Sequence, residues 1–150
     1  MVARKFSGPL IHARILLVDD NANGLAARRS VLEELGHCLV TATSGGDALE
    51  QFSALTFDLV VTDYKMPRMD GLELIVRLRK LSPDLPIVLI SGYVDTLGLN
   101  EASTGADVVI QKSSHEVSHL VRSVNRLLRR KPATRKPAAA QVKPAKRKSS

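Results

Sequence analysis

The sequence contains five short runs of consecutive apolar residues, and a segment with helical spacing follows each run. The clearest run, Ile-Leu-Leu-Val at 15–18, stops at Asp19. Continuous apolar runs, unlike alternating ones, are typical of strands buried on both faces of a parallel sheet. Strands are predicted at 15–18, 38–43, 57–62, 87–90 and 108–110, and helices at 22–35, 44–55, 71–81, 93–103 and 117–130.

Five strands alternating with five helices in about 120 residues predict one doubly wound α/β domain. Right-handed crossovers place helices on both faces of its five-stranded parallel sheet. Of the two common strand orders, the flavodoxin-like order 2-1-3-4-5 fits a chain of this length. The domain is predicted at 13–130, after a loose lead-in at 1–12. The tail at 131–150 is rich in Lys, Pro and Ala, which cannot bury a core, so we expect it to be disordered.

Local signals mark the ends of the later helices. Gly98 interrupts the segment 93–103 and makes it a poor helix. Ser-Ser-His-Glu at 113–116 has the pattern of a capping box and predicts the start of the last helix. Pro132 predicts that this helix ends at about Arg130, because proline cannot donate a helical hydrogen bond.

The net charge of +7 is concentrated in the tail. The tail holds seven of the 22 basic residues and no acid, so the other 15 basic residues balance the 15 acidic ones. Two interpretations stay open: non-specific contact with nucleic-acid phosphates, or a solvated tail that aids solubility or docks weakly on an acidic partner. The tail has no aromatic residue, so base stacking is not available to it.

The single cysteine, Cys38, excludes an intramolecular disulfide and a Cys-based metal cluster. Its neighbours Leu39 and Val40 predict a buried core thiol. No apolar run is long enough to span a membrane, and the first residues lack the apolar region of a secretory signal. We therefore expect a cytoplasmic protein with no membrane partner.

Five polar side chains follow predicted strands. Asp19 and Asp20 end the first strand, Asp63 the third, Ser91 the fourth and Lys112 the fifth. Ligands of open α/β sheets bind outside the carboxyl ends of the strands, so these groups are expected at one edge. Clustered carboxylates suit Mg²⁺, while an ammonium and a hydroxyl suit an anion held beside the metal. The anion that fits best is a phosphoryl group, and Asp63 could be its nucleophile and form an acyl phosphate.

These residues, together with the block Asp63-x-x-Met66-Pro67-x-Met69-Asp70-Gly71, resemble the receiver domain of two-component response regulators over residues 13–130. The resemblance implies that Asp63 accepts a phosphoryl group from the phosphohistidine of a sensor histidine kinase or phosphotransfer protein. It also implies signalling through an unknown downstream protein. Such a domain catalyses only its own phosphorylation and dephosphorylation and is not otherwise an enzyme.

The same resemblance assigns a role to each residue of the site. Asp20, Asp63 and the backbone carbonyl of Lys65 would ligate Mg²⁺, with Asp19 acting largely through water. The resemblance also implies that Lys112 contacts the phosphoryl oxygens, and that Ser91 binds the phosphoryl group and couples its arrival to the switch surface. Lys65 and Tyr93 lie at positions that tune acyl-phosphate lifetime in the family.

The sequence departs from the family pattern at two positions. An aromatic switch residue usually stands where this chain has Val109, and a proline usually follows the lysine where this chain has Ser113. Two hypotheses follow: a stand-alone receiver that acts through partners, or a constitutive scaffold with a weakened switch. A phosphatase or phosphotransferase is disfavoured, because Lys65 occupies the place where such enzymes carry a second acid.

Overall fold

The computed structural model describes residues 12–134, with side chains as far as Arg129. Five parallel strands form one sheet in the order β2-β1-β3-β4-β5, which confirms the predicted topology. The strands are β1 Arg14–Val18, β2 Cys38–Ala42, β3 Leu59–Asp63, β4 Ile87–Ser91 and β5 Val108–Gln111. The helices are α1 Ala22–Glu34, α2 Gly45–Ala54, α3 Gly71–Leu81, α4 Val94–Leu97, α5 Glu101–Thr104 and α6 Glu116–Thr134.

The apolar runs bury side chains on both faces of the sheet. In β1, Ile15 and Leu17 join a layer that contains Leu32 of α1 and the apolar side of α6. Their neighbours Leu16 and Val18 join the opposite layer, with α2 and α3. All four side chains are fully buried, as predicted for a central strand of a parallel sheet.

The described residues form six helices where five were predicted, because the segment 93–103 forms two one-turn helices. Gly98 adopts a left-handed conformation (φ 66°) and ends α4. Asn100 then begins α5 with a capping box, in which its side chain accepts from the Ser103 N–H and the Ser103 hydroxyl accepts from the Asn100 N–H. The interruption at Gly98 is therefore confirmed, and the single helix is replaced by two.

The last helix differs from the prediction at both ends. It continues to Thr134 and includes Pro132. Proline's fixed φ is compatible with a helix, and its missing N–H removes one hydrogen bond near the helix end. At its start, the Ser113 hydroxyl accepts from the His115 N–H, and the Glu116 carboxylate binds Arg28. The predicted reciprocal capping box is therefore wrong.

The prediction of a buried Cys38 is also wrong, because this thiol is exposed. Cys38 is the first residue of β2, an edge strand, and only one residue later Leu39 is buried. The predictions for 1–11 and 135–150 lie outside the described residues. Within 12–134, no helix combines the length and the apolar character needed to cross a bilayer.

Candidate functional site

The carboxyl ends of four strands meet at one edge of the sheet and form an open pocket of about 550 Å³. Asp63 is the last residue of β3 and Ser91 the last of β4, while Asp19 and Lys112 directly follow β1 and β5. The pocket is lined by Asp19, Asp20, Asn21, Asp63, Lys65, Ser91, Gly92, Tyr93 and Lys112. All five polar residues that the sequence places at strand ends therefore share one site.

Three carboxylates in this pocket can supply oxygen ligands to a metal ion. One oxygen from each of Asp19, Asp20 and Asp63 lies within 4.8 Å of the other two. Asp19 and Asp63 are buried and Asp20 is exposed, so the cluster has a solvent side. Such a set fits Mg²⁺, which prefers oxygen ligands and keeps part of its water shell.

Asp63 is a buried carboxylate with charged neighbours. The Lys112 ammonium lies 2.7 Å from its Oδ1, and Lys112 itself is exposed. This contact is a charge-assisted hydrogen bond, and the described residues offer Oδ1 no other donor. Burial raises the pKa of the Asp63 carboxyl, and the nearby Asp19 charge acts in the same direction, while Lys112 and Arg28 oppose the rise. A buried carboxylate oxygen held only by an exposed lysine ammonium is available to a metal or an electrophile once that ammonium moves aside.

Gly71 allows α3 to begin against the backbone of Asp63. Its N–H donates to the Tyr64 carbonyl at 2.8 Å. A Cβ at this position would collide with the Asp63 carbonyl oxygen and lie 3.0 Å from the Tyr64 Cα. Asp70 accepts from the Glu73 N–H and caps the helix. The Asp70-Gly71 pair of the sequence motif therefore holds the first turn of α3 against the backbone of Asp63 and Tyr64.

Ser91 and the loop after β4 form the side of the pocket opposite Asp19. The Ser91 hydroxyl is buried and accepts from the Tyr93 N–H at 2.9 Å. The Tyr93 ring contacts the Tyr64 ring edge-on at 5.9 Å between centroids, and the Lys65 ammonium lies 5.4 Å from the Tyr93 ring centre. Tyr93 is therefore held between an aromatic and a cationic neighbour at the mouth of the pocket.

Arg28 of α1 is a site residue that the sequence analysis missed. This buried guanidinium donates to Asp19 at 2.6 Å and to Glu116, the first residue of α6, at 2.7 Å. Desolvation by burial lowers its pKa, but the bond and charge of Glu116, with Asp19, raise it overall. A signal was present, because Arg28 lies three residues after Leu25 and four before Leu32, on the apolar side of the helix.

The model of the response regulator receiver domain family matches residues 15–125, which is most of the chain. The chain belongs to this family. Receiver domains are signalling domains of two-component systems and not classical enzymes, as the resemblance implied. Among curated relatives, the chain is 29% identical to the response regulator receiver protein CpdR of Brucella abortus, over 77% of this chain and 96% of that protein. It is 32% identical to the probable transcriptional regulator ycf27 of Cyanidium caldarium, over 82% of this chain and 50% of that protein.

Solved receiver structures share the fold of this receiver domain. The regulator TrrA of Thermotoga maritima, solved in complex with Mg²⁺ and BeF, is 35% identical, covers 77% of this chain and 98% of its own, and has a TM-score of 0.70. A receiver domain from Clostridium thermocellum is 27% identical, covers 81% and 98%, and has a TM-score of 0.72. The chain spans half or less of several curated relatives, including 15% of a gliding motility regulatory protein of Myxococcus xanthus.

Two positions of this receiver domain, Val109 and Ser113, differ from the pattern that the resemblance implied. Val109 in β5 is half-buried against the layer that contains α2 and α3, and its N–H donates to Glu101 of α5. Ser113 forms the turn before α6. Gln111 reaches the loop after Ser91, where its amide donates to the Gly92 carbonyl at 3.3 Å. An amide contact therefore links β5 to the pocket edge in a receiver that lacks the aromatic ring.

Proposed function

We propose that Asp63 accepts a phosphoryl group from the phosphohistidine of a sensor histidine kinase or phosphotransfer protein. One observation carries this assignment: a buried carboxylate, whose Oδ1 has only the exposed Lys112 ammonium as donor among the described residues, lies beside two further carboxylates. Attack by this oxygen on phosphorus would form an acyl phosphate, while the histidine ring of the donor leaves.

The side chains around Asp63 would bind the metal ion and orient the phosphoryl group. Asp20, Asp63 and the backbone carbonyl of Lys65 would hold Mg²⁺, and Asp19 would act through water because both of its oxygens already accept hydrogen bonds, from Arg28 and from the Asn21 N–H. When bound, the ion would neutralise charge that develops on the phosphoryl oxygens. Lys112, which now pairs with Asp63, would move its ammonium to those oxygens.

Ser91 would couple phosphorylation to the rest of the domain. Its hydroxyl is occupied by the Tyr93 N–H, so a turn toward the phosphoryl group would release that bond. The loop after β4 is in contact with Gln111 of β5. We therefore expect the movement to reach the surface of α4, β5 and α6 even though Val109 has no ring to rotate.

The test is incubation of the protein with acetyl phosphate and Mg²⁺, followed by intact-mass analysis. We expect one phosphoryl group on the wild type and none on Asp63→Asn. Asp70→Asn is the matched control, because asparagine caps a helix as well as aspartate does and the residue does not line the pocket. Modification that persists in Asp63→Asn, or that disappears in Asp70→Asn, contradicts the assignment.

The absence of an aromatic side chain at Val109 favours a second candidate, a constitutive scaffold with a weakened switch. Amide NMR spectra with and without beryllofluoride distinguish the two. Shift changes that spread from the pocket into β5 and α6 support the switch, whereas changes confined to residues that line the pocket support the scaffold.

We further propose that this receiver signals through a downstream protein partner, as receiver domains of two-component systems do. The cytoplasmic location and the binding of nucleic acid by the tail stay predictions from the sequence.

A further inference from the structure

Half of the basic residues of this chain lie after the start of α6, and the first of them belong to the folded domain. All 15 acidic residues lie at or before Glu116, together with 11 of the 22 basic residues, which gives a net charge of −4 for 1–116. The other 11 basic residues lie at 117–150 without a single acid. The boundary between the two charges therefore coincides with the first turn of the last helix.

The described part of α6 presents its basic residues on one face. Arg122, Arg126 and Arg129 are exposed, and their spacing of four and three residues aligns them along the helix. The opposite face is packed in the core through Leu120, Val124, Leu127 and Leu128. At a rise of about 1.5 Å per residue, the three arginines span about 10 Å, and the helical backbone continues to Thr134.

These arginines also lack the neutralising partners that other helices provide. Arg29 of α1 and Arg77 of α3 each bind a glutamate four residues away. None of the six ion pairs formed by the described residues includes Arg122, Arg126 or Arg129. Their charges therefore face solvent without an ion-pair partner in the part of the chain that the structure describes, and they are available to an external anion.

We propose that this arginine face of α6 (Arg122, Arg126 and Arg129) binds the phosphates of duplex DNA without reading base sequence. A row of aligned positive charges matches a polyanion with regularly spaced charges. Residues 117–150 contain no aromatic side chain, which favours a duplex over a single strand, since single-strand binding uses stacking on aromatic rings. A membrane fits less well, because the apolar side of α6 is already buried.

The test compares full-length variants by fluorescence anisotropy with a labelled random-sequence duplex, in salt from about 50 to 200 mM. The α6 variant carries Arg122→Gln, Arg126→Gln and Arg129→Gln. If each arginine contacts one phosphate, the slope of log K against log salt falls by about 2.7, because each contact contributes about 0.9. Thermal unfolding monitored by circular dichroism checks that the exposed substitutions leave the fold intact.

The matched control removes three exposed positive charges away from α6, with Arg29→Gln, Arg77→Gln and Lys80→Gln. We expect its slope to stay within one unit of the wild type. A third variant replaces the six basic residues of 135–150 by Gln. Because the arginine face of α6 still binds phosphates in this variant, adding the three α6 substitutions to it should lower the salt slope further.

Four outcomes with nucleic acid overturn the proposal. They are no binding of duplex DNA by the wild type at about 50 mM salt, a slope change in the control equal to that of the α6 variant, an α6 variant that binds like the wild type, and tighter binding of single-stranded RNA than of duplex DNA. Binding of an acidic polypeptide such as polyglutamate with equal affinity also overturns it, because the face would then select charge alone.

Discussion

Replacing Arg28 by Met should destabilise the domain more than any exposed charge substitution on the same helix. The guanidinium joins three segments, since it lies on α1 and binds both the residue after β1 and the first residue of α6. The side chains of Arg28 and Asp19 are 5% and 2% exposed, so the loss leaves a carboxylate buried with only the Asn21 N–H as donor.

The expected cost follows from this burial. Removing one partner of a buried ion pair costs about 3 to 5 kcal/mol. We expect the lower end, about 3 kcal/mol, because Glu116 retains some contact with solvent and Asp19 borders the open pocket. Arg29→Met is the matched control: it pairs with Glu33 at half-exposed positions, so its loss should cost less than about 1 kcal/mol.

Urea unfolding in metal-free buffer measures both variants, and repetition with Mg²⁺ tests the link to the pocket. A divalent ion that binds the folded state should restore stability to Arg28→Met by more than it stabilises the wild type, since it compensates the unpaired Asp19 carboxylate. Adding Glu116→Gln to Arg28→Met should cost little more, because the two share one interaction. The reasoning is refuted if Arg28→Met and Arg29→Met lie within about 1 kcal/mol of each other and Mg²⁺ adds equally to both.

Three further predictions concern single positions. Gly71→Ala should lower the free energy of unfolding in the urea assay by about 1–3 kcal/mol, because its Cβ would collide with backbone. The same substitution should slow phosphorylation of Asp63 by acetyl phosphate. In the control Gly46→Ala the added Cβ meets nothing within 4 Å, so this variant should be neutral or stabilising. Asp63→Asn should raise the urea midpoint at pH 7 without metal, and a loss of stability at that pH would contradict the reasoning. Burial raises the pKa of the Asp63 carboxyl above 3.8, so the gain in stability should vanish as pH falls below 3.8. Burial lowers the pKa of His37 below 6.5, and the charge of His12 adds to the effect. The free energy of unfolding should therefore decline as pH falls from 6.5 to the folded-state pKa. His37→Asn should flatten that decline when unfolding is measured at a series of pH values, and an unchanged slope would exclude His37 as its source.

The sheet and the residues of its carboxyl edge could be predicted from the sequence because both depend on local patterns. A run such as 15–18 has no polar residue to expose, so it must be covered on both faces, and a carboxylate directly after it must lie at the strand end. Once the strand order is known, Asp19 and Asp63 are neighbours, since β1 pairs with β3. The break at Gly98 was visible for the same reason, because glycine acts on its own turn.

Only the tertiary structure decided which charges meet across the chain. Arg28 and Glu116 are 88 residues apart, and nothing local distinguishes a buried bridge from two surface residues. For Cys38 the local pattern gave the wrong answer. Its apolar neighbours predicted burial, whereas its place at the start of an edge strand exposes it. Periodicity records how a residue relates to its own strand or helix. The packing of α1 against α6 sets the partner of a side chain that crosses between them, and that packing depends on the whole core.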